Sequence, residues 1–490
     1  MSAITGIIGK KTDSEQLQKM LEKIRHRGPD DSRIKTFEDG DGGCAAGELS
    51  LSARSKPALA GEQKPFVLMD GDIYNSLPDG ESNVSFIRKL YIEEGKQCLS
   101  KLNGSFSLAI IDKDEALLAR DSVGSRPLIY QQQDGCLYFA SEAKSLVGSV
   151  SSVEELAPGH LFSSKEGLQE FEDYAPDIPD FNTPSEAAKI LEELFVKSVQ
   201  KRMEDGAAKG VALSGGLDSS ITAAVAKSID PTVKLFSTTI QRYPSKDIKF
   251  ANLMAQYLGL EHHTYEITDD DITSLIPEAV WYMETFDEDC VSGAIANFYT
   301  SKMIASFSNC ILVGEGADEL FGGYFRELKD IPDRNQKEEI AKKLVRIAYN
   351  TALRRLDRGW FSNSVSYRTP YLDPEVVAFS NKIPMDLKLY YDRGKAREIE
   401  KWILREAFRD WLPEEIADRP KLRFAGGTGV DDLMDELTSD KVTEEDFRNN
   451  PKTDSHLTLN SPKELYYYRL FREHYPQEYE SLVVRWDPFK

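Results

Sequence analysis

Apolar residues over the first 165 positions alternate with polar ones in short runs, punctuated by Gly- and Asp-bearing turns. FVLMDGDIY (66–74), FSLAIID (106–112), EALLARD (115–121), PLIYQQQDGCLYFAS (127–141) and GHLFSS (159–164) share this texture, which predicts antiparallel strands. The opening MSAITGIIGK adds an apolar, strand-like run directly after Ser2. Two helical stretches, near 13–25 and 83–95, interrupt the strands, so residues 1–165 read as an α+β sandwich. Residues 166–183, EGLQEFEDYAPDIPDFNT, are acidic, carry two prolines and lack an apolar period, which marks a linker. Thr183 followed by Pro184 and Glu186 is a capping signal for a helix running to about 203.

From 209 the pattern changes. KGVALSGGLDSSITAAVAKSI reads as strand, glycine turn and helix. KLFSTTI is a second strand, DIKFANLMAQYLG a helix ending at Gly259, HHTYEI a strand, and NCILVGEG (309–316) a strand entering another glycine turn. Strands alternating with helices predict an α/β domain with a parallel sheet and ligands at its C-terminal strand ends. Beyond 325 the chain reads as mostly helical. Residues 184–490 thus form a second domain.

Composition narrows the function. A net charge of −21 argues against a nucleic-acid partner, since phosphate contacts need clustered Lys and Arg. No apolar run is long enough to span a membrane, and no secretory signal is visible. The five cysteines (Cys44, Cys98, Cys136, Cys290, Cys310) are scattered and odd in number, which suits reduced thiols and a cytoplasmic protein.

Chemistry concentrates in three motifs. Ser214-Gly215-Gly216-Leu217-Asp218-Ser219-Ser220 lies between a strand and a helix, where glycines and free N–H groups cradle an anion. It is not an ATPase P-loop, because no Gly-Lys-Ser/Thr follows. Asp218 suits a Mg²⁺ ligand bridging phosphate oxygens. Gly314-Glu315-Gly316-Ala317-Asp318-Glu319-Leu320-Phe321-Gly322-Gly323-Tyr324 follows another parallel strand, and Asp318 could be a second metal carboxylate. Arg419-Pro420-Lys421-Leu422-Arg423, running into glycines, could close over departing phosphates.

With these motifs the chain resembles the glutamine-dependent asparagine synthetases over nearly its whole length. Further matching pieces are His26-Arg27-Gly28-Pro29-Asp30, Leu102-Asn103-Gly104-Ser105-Phe106, Ala119-Arg120-Asp121, Glu284-Thr285-Phe286-Asp287, Arg368-Thr369-Pro370-Tyr371-Leu372-Asp373 and Lys401-Trp402-Ile403-Leu404-Arg405. The resemblance implies an Ntn-hydrolase-like, class II amidotransferase domain with two antiparallel sheets and flanking helices. An ATP pyrophosphatase domain follows it. ATP phosphates would be held by Ser214, Gly215, Gly216, Asp218, Ser219 and Ser220, with Leu213, Thr238, Gly314 and Glu315 lining the nucleotide site. Asp218 and Asp318 would hold Mg²⁺, and Lys421 would stabilise the departing phosphates. The substrates would be a small carboxylate and ammonia or an amine, with room for a homodimer.

The departures cluster at the expected glutaminase site. Relatives begin Met-Cys-Gly-Ile, whereas this chain begins Met1-Ser2-Ala3-Ile4. Glu48 stands at the arginine that clasps glutamine, Asp70 at the oxyanion-binding asparagine, and Asn83 at the aspartate holding the substrate amine. Loss of an oxyanion donor costs roughly 10²–10³ in rate. Glutaminase activity is therefore expected to be absent. In the second domain, Ser292 replaces an arginine and Ser366 a glutamate. Three functions compete: an AMP- and pyrophosphate-forming ligase making asparagine from aspartate and ammonia, a β-lactam synthetase-like or other amide ligase, and a non-catalytic ATP-binding scaffold.

Overall fold

The computed structural model describes residues 2–485 apart from 38–40, 79, 172–173, 243–246, 325–327, 329–330, 332, 393–396 and 421–429. The alternating segments of the first domain form twelve strands, β1 (Ser2–Ile8), β2 (Asp31–Thr36), β3 (Gly42–Glu48), β4 (Leu59–Ala60), β5 (Phe66–Ile73), β6 (Gly104–Ile111), β7 (Ala116–Arg120), β8 (Ile129–Gln133), β9 (Cys136–Ala140), β10 (Glu154–Glu155), β11 (His160–Ser163) and β12 (Gly167–Glu170). They build two six-stranded sheets, ordered β10-β8-β9-β1-β3-β2 and β12-β11-β7-β6-β5-β4. Every second residue faces inward, so Ile4, Ala46 and Phe139 of one sheet meet Leu68, Ala109 and Leu118 of the other in a buried core. Helix α1 (Ser14–Glu22) covers the outer face of the first sheet through Leu17 and Leu21. Helix α2 (Asn83–Glu94) covers the second through Val84 and Ile87.

The stretch expected as a linker from 166 begins with β12, whose residues pair with β11 from His160↔Glu170 to Ser163↔Gly167. Its acidic residue Glu170 sits on a sheet-edge strand, where solvent on the outer side tolerates it. Helix α3 (Pro184–Met203) then starts at the Thr183–Glu186 capping box.

The second domain centres on a five-stranded parallel sheet, ordered β15-β14-β13-β16-β17. Its strands are β13 (Gly210–Ala212), β14 (Lys234–Ile240), β15 (His262–Ile267), β16 (Cys310–Leu312) and β17 (Ser366–Arg368). Helices α4 (Leu217–Ile229), α5 (Ile248–Leu258), α6 (Asp269–Met283) and α7 (Glu288–Ile304) connect the first four strands. α5 ends at Gly259 in the left-handed conformation. All five cysteines are buried thiols, with no disulfide among the described residues. No helix among them is long and apolar enough to cross a membrane.

The domains meet across a seam of buried charge. Arg27, fully buried, pairs with Asp70 (2.7 Å) and Glu142 (2.8 Å) of its own domain and with Asp357 (2.6 Å) of the second. Its guanidinium also lies 4.2 Å from the centre of the Phe361 ring. The helix Ala352–Phe361 supplies three of the seam's charges: Arg354 pairs with Glu155 (2.5 Å), Asp357 with Arg27, and Arg358 with Glu284 (3.0 Å). Arg368 adds bonds to Asp72 (3.1 Å) and Asp205 (2.7 Å).

Burial alone would discharge Arg27, but Asp357, Asp70 and Glu142 outweigh it and hold the guanidinium well above its ordinary range. Burial likewise opposes the charge of Asp357, yet Arg27, Arg358 and Arg126 bring it down to about 2 from an ordinary 3.8. A depressed folded-state value means the seam's contribution from Asp357 is complete above about pH 4 and disappears as pH falls towards 2. Arg27→Met is expected to destabilise the chain by about 3–5 kcal/mol, because Asp70 loses its ion pair and Glu142 and Asp357 each lose one of theirs, and thermal unfolding at neutral pH checks it.

Candidate active site

Neighbouring parallel strands β13 and β16 deliver the two glycine motifs side by side. After β13 the chain turns at Gly215, whose φ of +77° and approach to Asp247 (a Cβ would lie 2.5 Å from its carbonyl oxygen) exclude other residues. Gly216 caps α4. The Ser214 amide donates to Ser219 Oγ (3.1 Å), the Gly216 amide to Ser214 Oγ (3.2 Å), and the two hydroxyls lie 3.0 Å apart. Ser220 Oγ is fully buried with no hydrogen-bond partner among the described residues. Hydroxyls and amide groups gathered at a helix start form a cradle for an anion.

Leu213 is fixed beneath the cradle, its amide donating to the Phe236 carbonyl (2.8 Å) and its carbonyl accepting from Ser237 Oγ (2.5 Å). Thr238, half-exposed on β14, places Oγ1 3.1 Å from Thr300 Oγ1. Gly314 leaves β16 against the cradle, where a Cβ would come within 3.0 Å of the Ser219 amide. The short helix α8 (Ala317–Phe321) then presents Asp318 towards Asp218.

The two aspartates converge on Lys401. Its ammonium lies 2.5 Å from Asp218 Oδ2 and also pairs with Asp318 Oδ1. Gly323 leaves room for this contact: a Cβ there would overlap Asp318 Oδ1 and approach Lys401 Cε to 2.6 Å. Lys401 entered the sequence reading only within KWILR, a segment without glycines or clustered charge that would mark a site. Burial opposes its charge, but Asp218 and Asp318 hold the ammonium well above its ordinary range.

Asp218 and Asp318 fit a Mg²⁺ ion, since both carboxylates already share one cation. No group of three or more His, Cys, Asp or Glu gathers for a metal among the described residues. The remaining ligands would be phosphate oxygens and water, the usual pattern for Mg²⁺. Glu315, partly buried beside them, is pushed up to about 7 by loss of solvent and by the Glu319, Asp318 and Asp218 carboxylates, against the pull of Arg355.

Arg419, expected among the residues closing over phosphates, instead spends its guanidinium on the Gly215 carbonyl, the Asp247 carboxylate and the face of Phe250 (4.0 Å). It anchors the start of the basic loop to the glycine turn. Lys421 lies outside the described residues.

In the first domain, Ser2 and Glu48 stand opposite each other in the β1–β3 register. The Ser2 amide donates to Asp70 Oδ1 (3.2 Å), and Arg27 holds the other Asp70 oxygen. Glu48 Oε1 accepts from Arg33 Nε (3.1 Å) and the Ala58 amide (3.2 Å). Asn83, first residue of α2, is buried with its side-chain oxygen unpartnered among the described residues. Ser2, Glu48 and Asp70 are all buried to within 2% of their surface.

A family profile described as "Asparagine synthase" matches residues 190–346 and 329–483, and one described as "Glutamine amidotransferase domain" matches 1–169. The chain is 31% identical over 506 residues to "Asparagine synthetase [glutamine-hydrolyzing]" of Zea mays, covering 95% of this chain and 84% of the relative. It is 31% identical over 536 residues to the nodule asparagine synthetase of Pisum sativum, covering 100% and 89%. With "Asparagine synthetase [glutamine-hydrolyzing] 2" of Arabidopsis thaliana it shares 30% over 532 residues, covering 100% and 90%.

Gly323→Ala tests the aspartate–lysine contact. The added methyl must push Asp318 off Lys401 and leave a buried ammonium short of a partner, so the variant is expected to lose about 1–3 kcal/mol of stability, which thermal unfolding checks.

Proposed function

The chain belongs to the asparagine synthetase family, and we propose that it is an AMP- and pyrophosphate-forming ligase that amidates the aspartate side chain with free ammonia. The observation that carries this reading is the meeting of Asp218 and Asp318 at one buried cation beside the serine–glycine cradle. A carboxylate is a poor electrophile. One of its oxygens attacks the α-phosphorus of ATP, the bond to the bridging oxygen breaks, and pyrophosphate leaves. Ammonia then adds to the acyl carbon and AMP departs with the electrons of the acyl–oxygen bond. The cradle amides and Ser214, Ser219 and Ser220 hold phosphate oxygens. Mg²⁺ bound by Asp218 and Asp318 would supply positive charge to the triphosphate and to the pyrophosphate as it leaves.

Glu315 takes the proton that ammonia sheds on attack, a role suited to a carboxyl tuned near neutrality. The acceptor's carboxylate needs a guanidinium. Where relatives carry arginine, this chain has Ser292, buried with its hydroxyl unpartnered among the described residues. Arg355 reaches the same helix one residue on: a Cβ on Gly293 would collide with its Cδ and lie 2.9 Å from Nη1. Its charge also acts on Glu315. We assign the acceptor clamp to Arg355.

Ammonia is favoured over glutamine as the nitrogen source by the first domain's residues. The plant relatives are named as glutamine-hydrolyzing. Here Ser2 replaces the nucleophilic cysteine, the oxyanion position is a carboxylate shared by Arg27 and the Ser2 amide, and Glu48 meets Arg33 and a backbone amide. A serine has a far higher pKa than a cysteine, and a carboxylate repels a developing oxyanion.

Purified protein with Mg–ATP and aspartate is expected to release pyrophosphate with ammonium chloride and not with glutamine, with asparagine detected by mass spectrometry. Asp218→Ala should abolish release and Ser2→Ala leave it unchanged. Glutamine-driven turnover would overturn the ammonia assignment, and absence of pyrophosphate with every acid would overturn the ligase. The ammonia-dependent rate, corrected for the fraction of free ammonia, should fall as pH drops below about 7, where Glu315 takes up its proton.

A further inference from the structure

Resting on the nucleotide site just described, we propose that Lys401 is a resident cation that occupies the Asp218–Asp318 pair until nucleotide arrives, so that divalent metal loads with ATP rather than before it. Three features of the chain support this. The lysine is placed with effort: its backbone is left-handed (φ +54°), a conformation non-glycine residues rarely adopt. The segment around it is tied down, with Trp402 stacked on Tyr390 (4.7 Å between centroids) and Arg405 bonded to the Glu400 carbonyl (2.9 Å) and carboxylate (2.8 Å). The side chain is 3% exposed, and Gly323 leaves the room in which it meets Asp318.

A divalent ion approaching those oxygens meets a positive charge already in place. Two like charges a few ångströms apart inside a protein repel by several kcal/mol at intermediate dielectric, so free metal competes poorly. A triphosphate changes the balance. It brings several negative oxygens to the adjacent cradle, and the flexible four-carbon stem lets the ammonium move onto them. The carboxylates are then released to the metal that arrives on the same phosphates. Without Lys401 the two carboxylates would form an open, doubly negative pair able to take up metal on its own.

The probe is Mn²⁺, with the free ion followed by electron paramagnetic resonance and titrated against intact protein with and without a non-hydrolysable ATP analogue. Wild-type protein should take up Mn²⁺ appreciably only with the analogue. Lys401→Met should bind Mn²⁺ alone at least about tenfold more tightly than wild type. The double variant Lys401→Met/Asp318→Asn should lose that gain, which places the ion at the pair. Unchanged or weaker metal binding by folded Lys401→Met overturns the proposal. So does wild-type protein that binds Mn²⁺ equally well with and without nucleotide, a comparison that needs no variant to fold. If no protein binds Mn²⁺ even with the analogue, the nucleotide-site reading fails and this inference falls with it. A Ser2→Ala control, outside this machinery, should titrate as wild type.

Discussion

A guanidinium buried from all water cannot stand without carboxylates, and Arg27 collects three of them from two domains. That single requirement governs much of the structure. Asp357 must come up from the second domain, so the helix carrying it is pressed against the first. Asp70 must turn one oxygen to Arg27, and its other oxygen takes the Ser2 amide. The same contact that joins the domains therefore fills the space beside the start of the chain. Glu142, the third partner, also pairs with Lys144 and shares a hydrogen bond with His26, and against burial these partners and Arg27 keep it well below the usual carboxylate range.

The helix Ala352–Phe361 links the seam to the second site. Arg354, Asp357 and Arg358 are spent on the interface, while Arg355, between them, lies over Gly293 and within electrostatic reach of Glu315. Successive residues on a helix point about 100° apart, so one helix serves the domain contact on one side and the candidate acceptor pocket on another. Within the second domain, the parallel sheet performs a comparable service. Adjacent strands β13 and β16 end together, and their turns bring Asp218 and Asp318 to one lysine.

Local patterns made much of this legible in the sequence. Period-two alternation marked the strands of the sandwich, the Thr183–Glu186 capping box marked α3 to its first residue, and Gly259 marked the end of α5. The glycine motifs announced the cradle because their chemistry is contiguous in the chain. What stayed hidden lies in pairings between distant residues. Lys401 is 183 positions from Asp218, and Arg27 is 330 from Asp357. No periodicity encodes such partners; only the packed fold selects them. β12 looks like linker in the sequence because an edge strand facing solvent can lose its apolar alternation. Arg419 suggests a phosphate contact in the sequence because a cation next to glycines looks the same whether it meets a ligand or a backbone carbonyl.

The seam also bears on how such a chain can change over generations. Replacing Asp70 alone by a neutral residue would still leave Arg27 two carboxylates, Glu142 and Asp357. Replacing Arg27 alone would strip Asp70 of its ion pair in a dry interface, while Glu142 keeps Lys144 and Asp357 keeps Arg126 and Arg358. The order in which such charges can be exchanged is therefore set by the guanidinium: its carboxylates are replaceable one at a time, and it is not.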